Sequence, residues 1–243
     1  MAEIIELKNV SFSAQDGNIV DDVSIEIKTA KTTAIVGPSG GGKSTVLKLA
    51  AGLLVPDQGE VLYKDNNIVY MSRSENLEFR REGAFVFQDS ALWANQNLFQ
   101  ILELPLKIHY PEMSGKQRTD RINAVTELVG YRKTLNLRPS GLSMGEQKLI
   151  AFARAMLCNP SLLYLDEWTE SLDETAAERL IDIVRKKQKE GATILFVSHD
   201  LRIIKDLADF IVVIIDGKLS VSAPKNQVLN DQLKNFLKIG IEP

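Results

Sequence analysis

Cysteine is nearly missing from this chain: Cys158 is the only one in 243 residues. A lone thiol cannot close an intrachain disulfide, which fits a reducing compartment. Its setting in the apolar peptide AFARAMLC predicts a small buried hydrophobe. Long apolar runs are missing too. The run FIVVII, residues 210–215, falls far short of the ~20 residues a membrane-spanning helix needs and reads as a buried strand. Neither sign of charge dominates, with 29 Lys and Arg against 32 Asp and Glu. That balance argues against broad attraction to nucleic acid or anionic lipid, so no nucleic-acid partner is expected, and membrane contact is expected only through a protein partner. The opening MAEIIELKN has no basic region, apolar block and small-residue cleavage site of a leader. The expectation is a cytoplasmic protein without its own anchor. With no internal repeat, low-complexity tract or long linker visible, residues 1–243 are expected to form a single domain.

What is present begins with alternation. Residues 4–12 and 23–27 alternate apolar with polar side chains around the turn-rich QDGN, which predicts an antiparallel β opening. Residues 33–36 are a short β-rich run entering a Gly-rich loop, and a helix is expected over 44–51, up to Gly52. Strands are expected at 59–63 and 84–87, with a charged, exposed helix at 74–81 between them. From 98 to 130 the apolar period becomes helical through Leu102, Leu106, Ile122, Val125, Leu128 and Val129, broken at Pro111. The peptide LSMGEQ opens a further helix that stops before Asn159 and Pro160. Strand and helix then alternate: 162–165, 176–188, 193–197, 201–207 and 211–215. Such alternation predicts an α/β fold with a mainly parallel core sheet flanked by helices and an inserted α-helical region.

The chemistry-bearing residues sit at the seams of this pattern. GPSGGGKS, residues 37–44, is a phosphate loop between strand and helix. Gly37, Gly40, Gly41 and Gly42 let backbone N–H groups wrap phosphates, Lys43 reaches the β and γ oxygens, and the Ser44 hydroxyl ligates magnesium. Pro38, Ser39 and Thr45 complete the nucleotide-binding set. The apolar strand LLYL ends in Asp166 and Glu167, two carboxylates expected at the carboxyl edge of the sheet. Asp166 suits the metal's hydration shell, and Glu167 suits polarising an attacking water, since phosphoryl transfer depends mainly on positioning and charge. His199 follows another strand, where a neutral imidazole reaches γ-phosphate or water; His109 is expected to be solvated. Gln88 closes the strand AFVF, where an amide can touch magnesium or water. Lying between the phosphate loop and the acidic strand, LSMGEQ offers a second helix start with N–H donors for phosphate, too distant in sequence to belong to the first loop. It is expected to serve the nucleotide of another subunit.

In this order, GPSGGGKS, Gln88, LSMGEQ, LLYLDE, the SLD of residues 171–173 and His199 resemble the nucleotide-binding subunit of ABC transporters over residues 3–225. The resemblance implies a P-loop NTPase of the ABC ATPase type that hydrolyses ATP with Mg²⁺. It implies a RecA-like core with an antiparallel β portion (1–88 and 161–224), a helical signature subdomain (89–160) and a C-terminal helical tail (225–243). It further implies a head-to-tail homodimer in which each ATP is held by one copy's phosphate loop and the other copy's signature peptide. By matching position, Ser143, Gly145 and Glu146 belong to that signature, Asp173 makes a contact across the dimer, Glu167 is the catalytic base and His199 the switch. Gln88 joins the catalytic and metal sets with Ser44 and Asp166, and links to integral membrane permease subunits docking near residues 88–99. The implied location is the cytoplasmic face of the inner membrane.

Three positions depart from the family pattern. The signature LSGGQ is LSMGE here, with Met144 at the first glycine. Ala14 occupies the position of the adenine-stacking aromatic, with Phe12 two residues earlier on the same expected strand face. Trp168 replaces the proline that follows the catalytic glutamate. The stretch 70–106, and Asn235, Phe236, Leu237 and Gly240 in the tail, look like the ATPases of MCE-type (Mla-like) phospholipid transporters, implying an MCE-domain lipid-binding partner and a permease groove lined by Trp93 and Phe99. The readings beside this one are an ATPase of another ABC importer or lipoprotein-release system, and a low-turnover regulatory module suggested by Ala14 and Met144. Chromosome-maintenance ATPases carry a long coiled-coil or zinc insertion where this chain has a short helical interval, and translation-factor relatives carry two cassettes.

Overall fold

The computed structural model describes residues 3–14 and 17–228. The chain opens with the expected hairpin: β1 (Glu3–Ala14) and β2 (Gly17–Lys28) pair antiparallel. Next come β3 (Thr32–Val36), α1 (Lys43–Ala50), β4 (Gln58–Tyr63), β5 (Asn66–Asn67), α2 (Arg73–Glu82) and β6 (Gly83–Val86). Three helices follow, α3 (Leu98–His109), α4 (Gly115–Val129) and α5 (Met144–Met156), before β7 (Leu162–Asp166), α6 (Glu174–Lys189), β8 (Thr193–Val197), α7 (Leu201–Leu207), β9 (Phe210–Ile215) and β10 (Lys218–Pro224).

Two sheets result, a four-stranded one ordered β2-β1-β4-β5 and a six-stranded one ordered β10-β9-β3-β8-β7-β6. Neighbours from β9 through β6 are parallel; β10 pairs antiparallel with β9 at the edge. β3, β7 and β8 are buried along their whole length, as strands covered on both faces must be. Their side chains therefore feed two cores. Ala34, Val36, Leu163, Leu165, Ile194 and Phe196 face the core shared with α3, α4 and α5. Ile35, Leu162, Tyr164, Leu195 and Val197 face the one shared with α1 and the antiparallel sheet. The helical insert thus has no separate core; it is built onto one face of the parallel sheet.

Several sequence expectations are corrected. β5 and β10 were not anticipated. Cys158 is half-buried rather than fully buried, its thiol pushed up to about 11 mainly by desolvation. His109 is not a solvated side chain: it is half-buried, its Nδ1 has no hydrogen-bond partner, and burial and then the Arg81 charge lower its pKa. The helix α2 is largely exposed as expected, but Phe79 on it is buried and Arg80 donates to the Ala51 and Gly52 carbonyls. Phe12 packs against the core and Ala14, at the end of β1, is exposed; the register shift between Phe12 and Ser13 places its extra residue on β2, at Ile19. Of the tail, only residues 225–228 are described, with a 3₁₀ turn at Lys225–Gln227. The expected helix beyond them, with Asn235, Phe236, Leu237 and Gly240, lies outside the described residues.

Candidate functional site

The phosphate loop leaves β3 at the carboxyl edge of the parallel sheet and enters α1. Its glycines are fixed by close backbone approach. A Cβ at Gly37, where φ is 147°, would lie 1.9 Å from the Ile214 carbonyl oxygen, and one at Gly42, where φ is 94°, would lie 2.7 Å from that of Ile19. Ser39 and Gly40 form an exposed tip, whereas Pro38, Gly41 and Lys43 are buried and Ser44 and Thr45 half-buried. The Lys43 ammonium donates to the Pro38 carbonyl at 2.6 Å, curling over its own loop where phosphate oxygens would compete for it. Burial lowers its pKa, opposed by the charges of Glu167 and Asp166.

β7 delivers the two carboxylates beside this loop. The Ser44 hydroxyl donates to Asp166 Oδ1 at 2.8 Å. Asp166 is buried, and desolvation raises its pKa despite that hydrogen bond. A hydroxyl–carboxylate pair of hard oxygens, the half-buried Ser44 beside the buried Asp166, fits a magnesium ion. Gln88 lines the same cleft of about 460 Å³ as Ser44, Asp166, Lys48, Met144 and Glu170. Its amide nitrogen donates to Glu170 Oε2 at 3.0 Å.

Glu167 sits just past the end of β7 at φ 43°, a left-handed conformation uncommon outside glycine. Its N–H donates to the Val197 carbonyl at 3.1 Å, and its own carbonyl accepts from Glu170 N–H at 3.1 Å. Desolvation first, and the neighbouring Asp166 charge second, push its carboxyl up to about 7. His199 Nε2 lies 3.2 Å from Glu167 Oε1, yet that oxygen has no hydrogen bond of sound geometry. Burial and the Lys43 charge lower the His199 pKa, so the approach is that of a neutral imidazole and not a charged pair. A carboxyl poised near neutrality with an unsatisfied oxygen suits proton transfer from water.

The signature peptide starts α5. Ser143 is its N-cap: the hydroxyl accepts from Glu146 N–H at 3.2 Å while Glu146 Oε2 accepts from Ser143 N–H at 3.0 Å. The other Glu146 oxygen pairs with Lys133 at 2.6 Å, so within one chain this side chain serves the cap and that ion pair. Gly145 has an intrachain reason of its own, because a Cβ there would meet the Ser171 carbonyl at 2.9 Å. Met144 is 71% exposed. Asp173 is exposed and N-caps α6, accepting from Ala176 N–H at 2.8 Å. Trp168 is fully buried, edge-on to Phe196 at 5.3 Å, with its indole N–H unpartnered.

Two site residues escaped the sequence reading, Lys148 and Arg154. The buried Lys148 ammonium donates to the carbonyls of Phe87 at 3.3 Å, Gln88, and Glu167 at 3.4 Å. Arg154 donates to those of Ala91 at 2.7 Å and Ser90 at 3.2 Å. A signal existed for the first: Lys148 is in helical register with Ala151, Phe152 and Ala155, an apolar stripe where an unpaired cation is out of place. A second, apolar cleft of about 400 Å³ lies between α2 and the Gln88 loop, lined by Leu53, Phe79, Phe85, Phe87, Trp93 and Arg154. Phe99, expected beside Trp93, packs against the core instead.

A phosphate loop next to a hydrogen-bonded Ser–Asp pair and a neutral-range glutamate, on a parallel sheet carrying a helical insert, defines a nucleotide-hydrolysing P-loop cassette. The family profile described as ABC transporter matches residues 20–170. The chain is 33% identical to the intermembrane phospholipid transport system ATP-binding protein MlaF of Haemophilus influenzae, over 97% of this chain and 90% of that one. It is 30% identical to the methionine import ATP-binding protein MetN of Campylobacter jejuni, over 96% of this chain and 75% of that one. The ATP-binding cassette MJ0796, solved as a dimer in a post-hydrolysis state bound to ADP and Pi, superimposes with a TM-score of 0.84 at 29% identity, covering 91% of this chain and 98% of that one. The chain belongs to the ABC transporter family. It is an ATP-binding, ATP-hydrolysing transporter subunit that uses ATP with Mg²⁺. Among the described residues, no helix is long and apolar enough to cross a membrane.

Proposed function

We propose that this subunit powers a phospholipid transporter of the bacterial envelope, acting as a homodimer on the cytoplasmic face of the inner membrane and docked on integral membrane permease subunits. The observation that carries the cargo is the 33% identity to MlaF along 97% of the chain. In this reading residues 37–45 cradle the triphosphate and Lys43 exchanges the Pro38 carbonyl for phosphate oxygens. Ser44, Asp166 and Gln88 hold the magnesium ion, which supplies charge neutralisation on the phosphates. Glu167 takes the proton of the attacking water through its unpartnered oxygen, and His199 orients that water and the γ-phosphate. The α5 start, with Ser143 and Gly145, closes on the nucleotide of the second copy, and Asp173 touches that copy; the dimeric state of the MJ0796 cassette supports the pairing of two copies. The 400 Å³ apolar cleft receives a permease segment beside Trp93, itself 45% exposed. An MCE-domain lipid-binding subunit completes the assembly.

The likeness to MetN favours one second reading, import of a small polar solute such as methionine. Isolation of the chain with its membrane partners in mild detergent, followed by mass spectrometry of bound lipid, separates the two. Co-isolation of an MCE-domain subunit and phospholipid is expected. A complex without that subunit, whose ATPase responds to methionine and not to phospholipid, would overturn the phospholipid reading.

A further inference from the structure

Lys148 lies on the second turn of α5 with 2% of its surface exposed. Among the described residues it makes no ion pair. An ammonium has three N–H donors and no acceptor, and here they meet three main-chain oxygens: those of Phe87, Gln88 and Glu167. The acceptors come from two places in the chain. Phe87 and Gln88 follow β6, and Glu167 follows β7, while the cation belongs to α5. One side chain therefore ties the start of the signature helix to the Gln88 loop and to the backbone of the glutamate with the unpartnered oxygen.

The rest of the Gln88 loop is held by a different cation. Arg154, farther along α5, takes the Ser90 and Ala91 carbonyls, and both of those residues are at positive φ, 65° and 45°. Such backbones persist only where the surroundings over-determine them. The two cations divide the work: Arg154 pins the outer part of the loop, and Lys148 alone bridges from the loop to Glu167. The only other side-chain bridge from this loop to the segment after β7 among the described residues is the exposed Gln88–Glu170 hydrogen bond. A neutral side chain at 148 removes this shared donor; the Phe87 and Glu167 carbonyls keep the N–H groups of Ser90 and Glu170, so what is lost is the tie that joins the two segments to α5.

We propose that Lys148 is a positioning residue for ATP hydrolysis, holding Gln88 and Glu167 in one register with the start of α5. The inference rests on the reading of Glu167 as the base. It predicts a defect in turnover rather than in nucleotide binding, because none of the three carbonyls belongs to the phosphate loop. The experiment uses the full chain, with turnover scored per mole of protein that binds ATP, so that misfolded material does not enter. Lys148→Met keeps the aliphatic stem and removes the charge; kcat is expected to fall at least about tenfold with KM for ATP changed less than about threefold. Arg154→Met, which loosens the same loop without touching Glu167, is expected to lose clearly less. Should Lys148→Met not yield ATP-binding protein, Lys148→Gln is held to the same criteria. A parental kcat, a loss confined to KM, or an equal kcat loss in Arg154→Met would overturn the proposal. Glu167→Gln is the separate control: parental turnover in that variant would overturn the reading of Glu167 and leave the Lys148 measurements to be judged on their own.

Discussion

At the scale of single residues, the proposed chemistry concentrates on Glu167. Its carboxyl is pushed up to about 7, first by desolvation and then by Asp166, and one oxygen is unpartnered. Glu167→Gln is expected to lower kcat by roughly 10²–10⁴-fold, the range over which a positioned base contributes, while ATP binding persists; steady-state turnover with a nucleotide-binding titration reads both. The same shift has a stability signature in nucleotide-free, metal-free protein. The folded state keeps its proton up to about 7, whereas the unfolded chain releases it near 4.5. Between those values the unfolded state binds fewer protons, so stability falls as pH rises through the window. Gln at 167 abolishes that loss. The Tm of Glu167→Gln relative to the parent is thus expected to be higher at pH 8 than at pH 5, and a pH-independent difference would show that the carboxyl is not shifted. The pairing of Asp166 and Glu167 after an apolar strand was legible in the sequence. The left-handed φ of Glu167 and the triple carbonyl contact of Lys148 were not, because both depend on where β6, β7 and α5 meet in space.

At the scale of elements, the helices and buried strands were legible wherever an apolar period met a boundary signal. Ser143, Ser114 and Asn97 each start a helix through a reciprocal capping box with the residue three positions on, and Gly130 ends α4 in the left-handed region. β10 was missed although Leu219, Val221 and Ala223 alternate with polar residues: the run is short, its apolar residues are only partly buried, and Leu219 and Val221 pack at the margins of the two cores. The end of β1 shows the limit of parity arguments, since Phe12 packs against the core while Ala14, two residues on at the strand's end, is exposed. Because α4 shares a core with the sheet, its cap is expected to affect the whole cooperative unit. Ser114→Ala should cost about 1 kcal/mol, lowering Tm by roughly 2–4 °C in a chain of this size. The whole unfolding transition is expected to shift together by circular dichroism; a separate early transition confined to helix signal would mean that the insert unfolds on its own.

At the scale of the whole molecule, the cleft of Ser44 and Asp166, the proposed hydrolytic one, and the apolar cleft are adjoining faces of one loop. Phe87 lines both, Gln88 reaches the Ser44 and Asp166 side, and Trp93 and Arg154 line the other. A partner seated in the apolar cleft would press on the same backbone that Lys148 and Arg154 tie to α5, which gives docking a physical route to the hydrolytic groups without any contact to ATP. Leu53 tests this because it lines the apolar cleft, is substantially exposed and does not line the cleft of Ser44 and Asp166. A carboxylate placed there would have to be desolvated against an apolar partner, at a cost of several kcal/mol. Leu53→Glu is therefore expected to leave the ATPase rate of the isolated subunit at the parental level while abolishing its co-purification with the membrane subunits. Retained co-purification would move the docking surface elsewhere on the molecule, and a fall in the isolated subunit's rate would show that the cleft supports hydrolysis even without a partner in it.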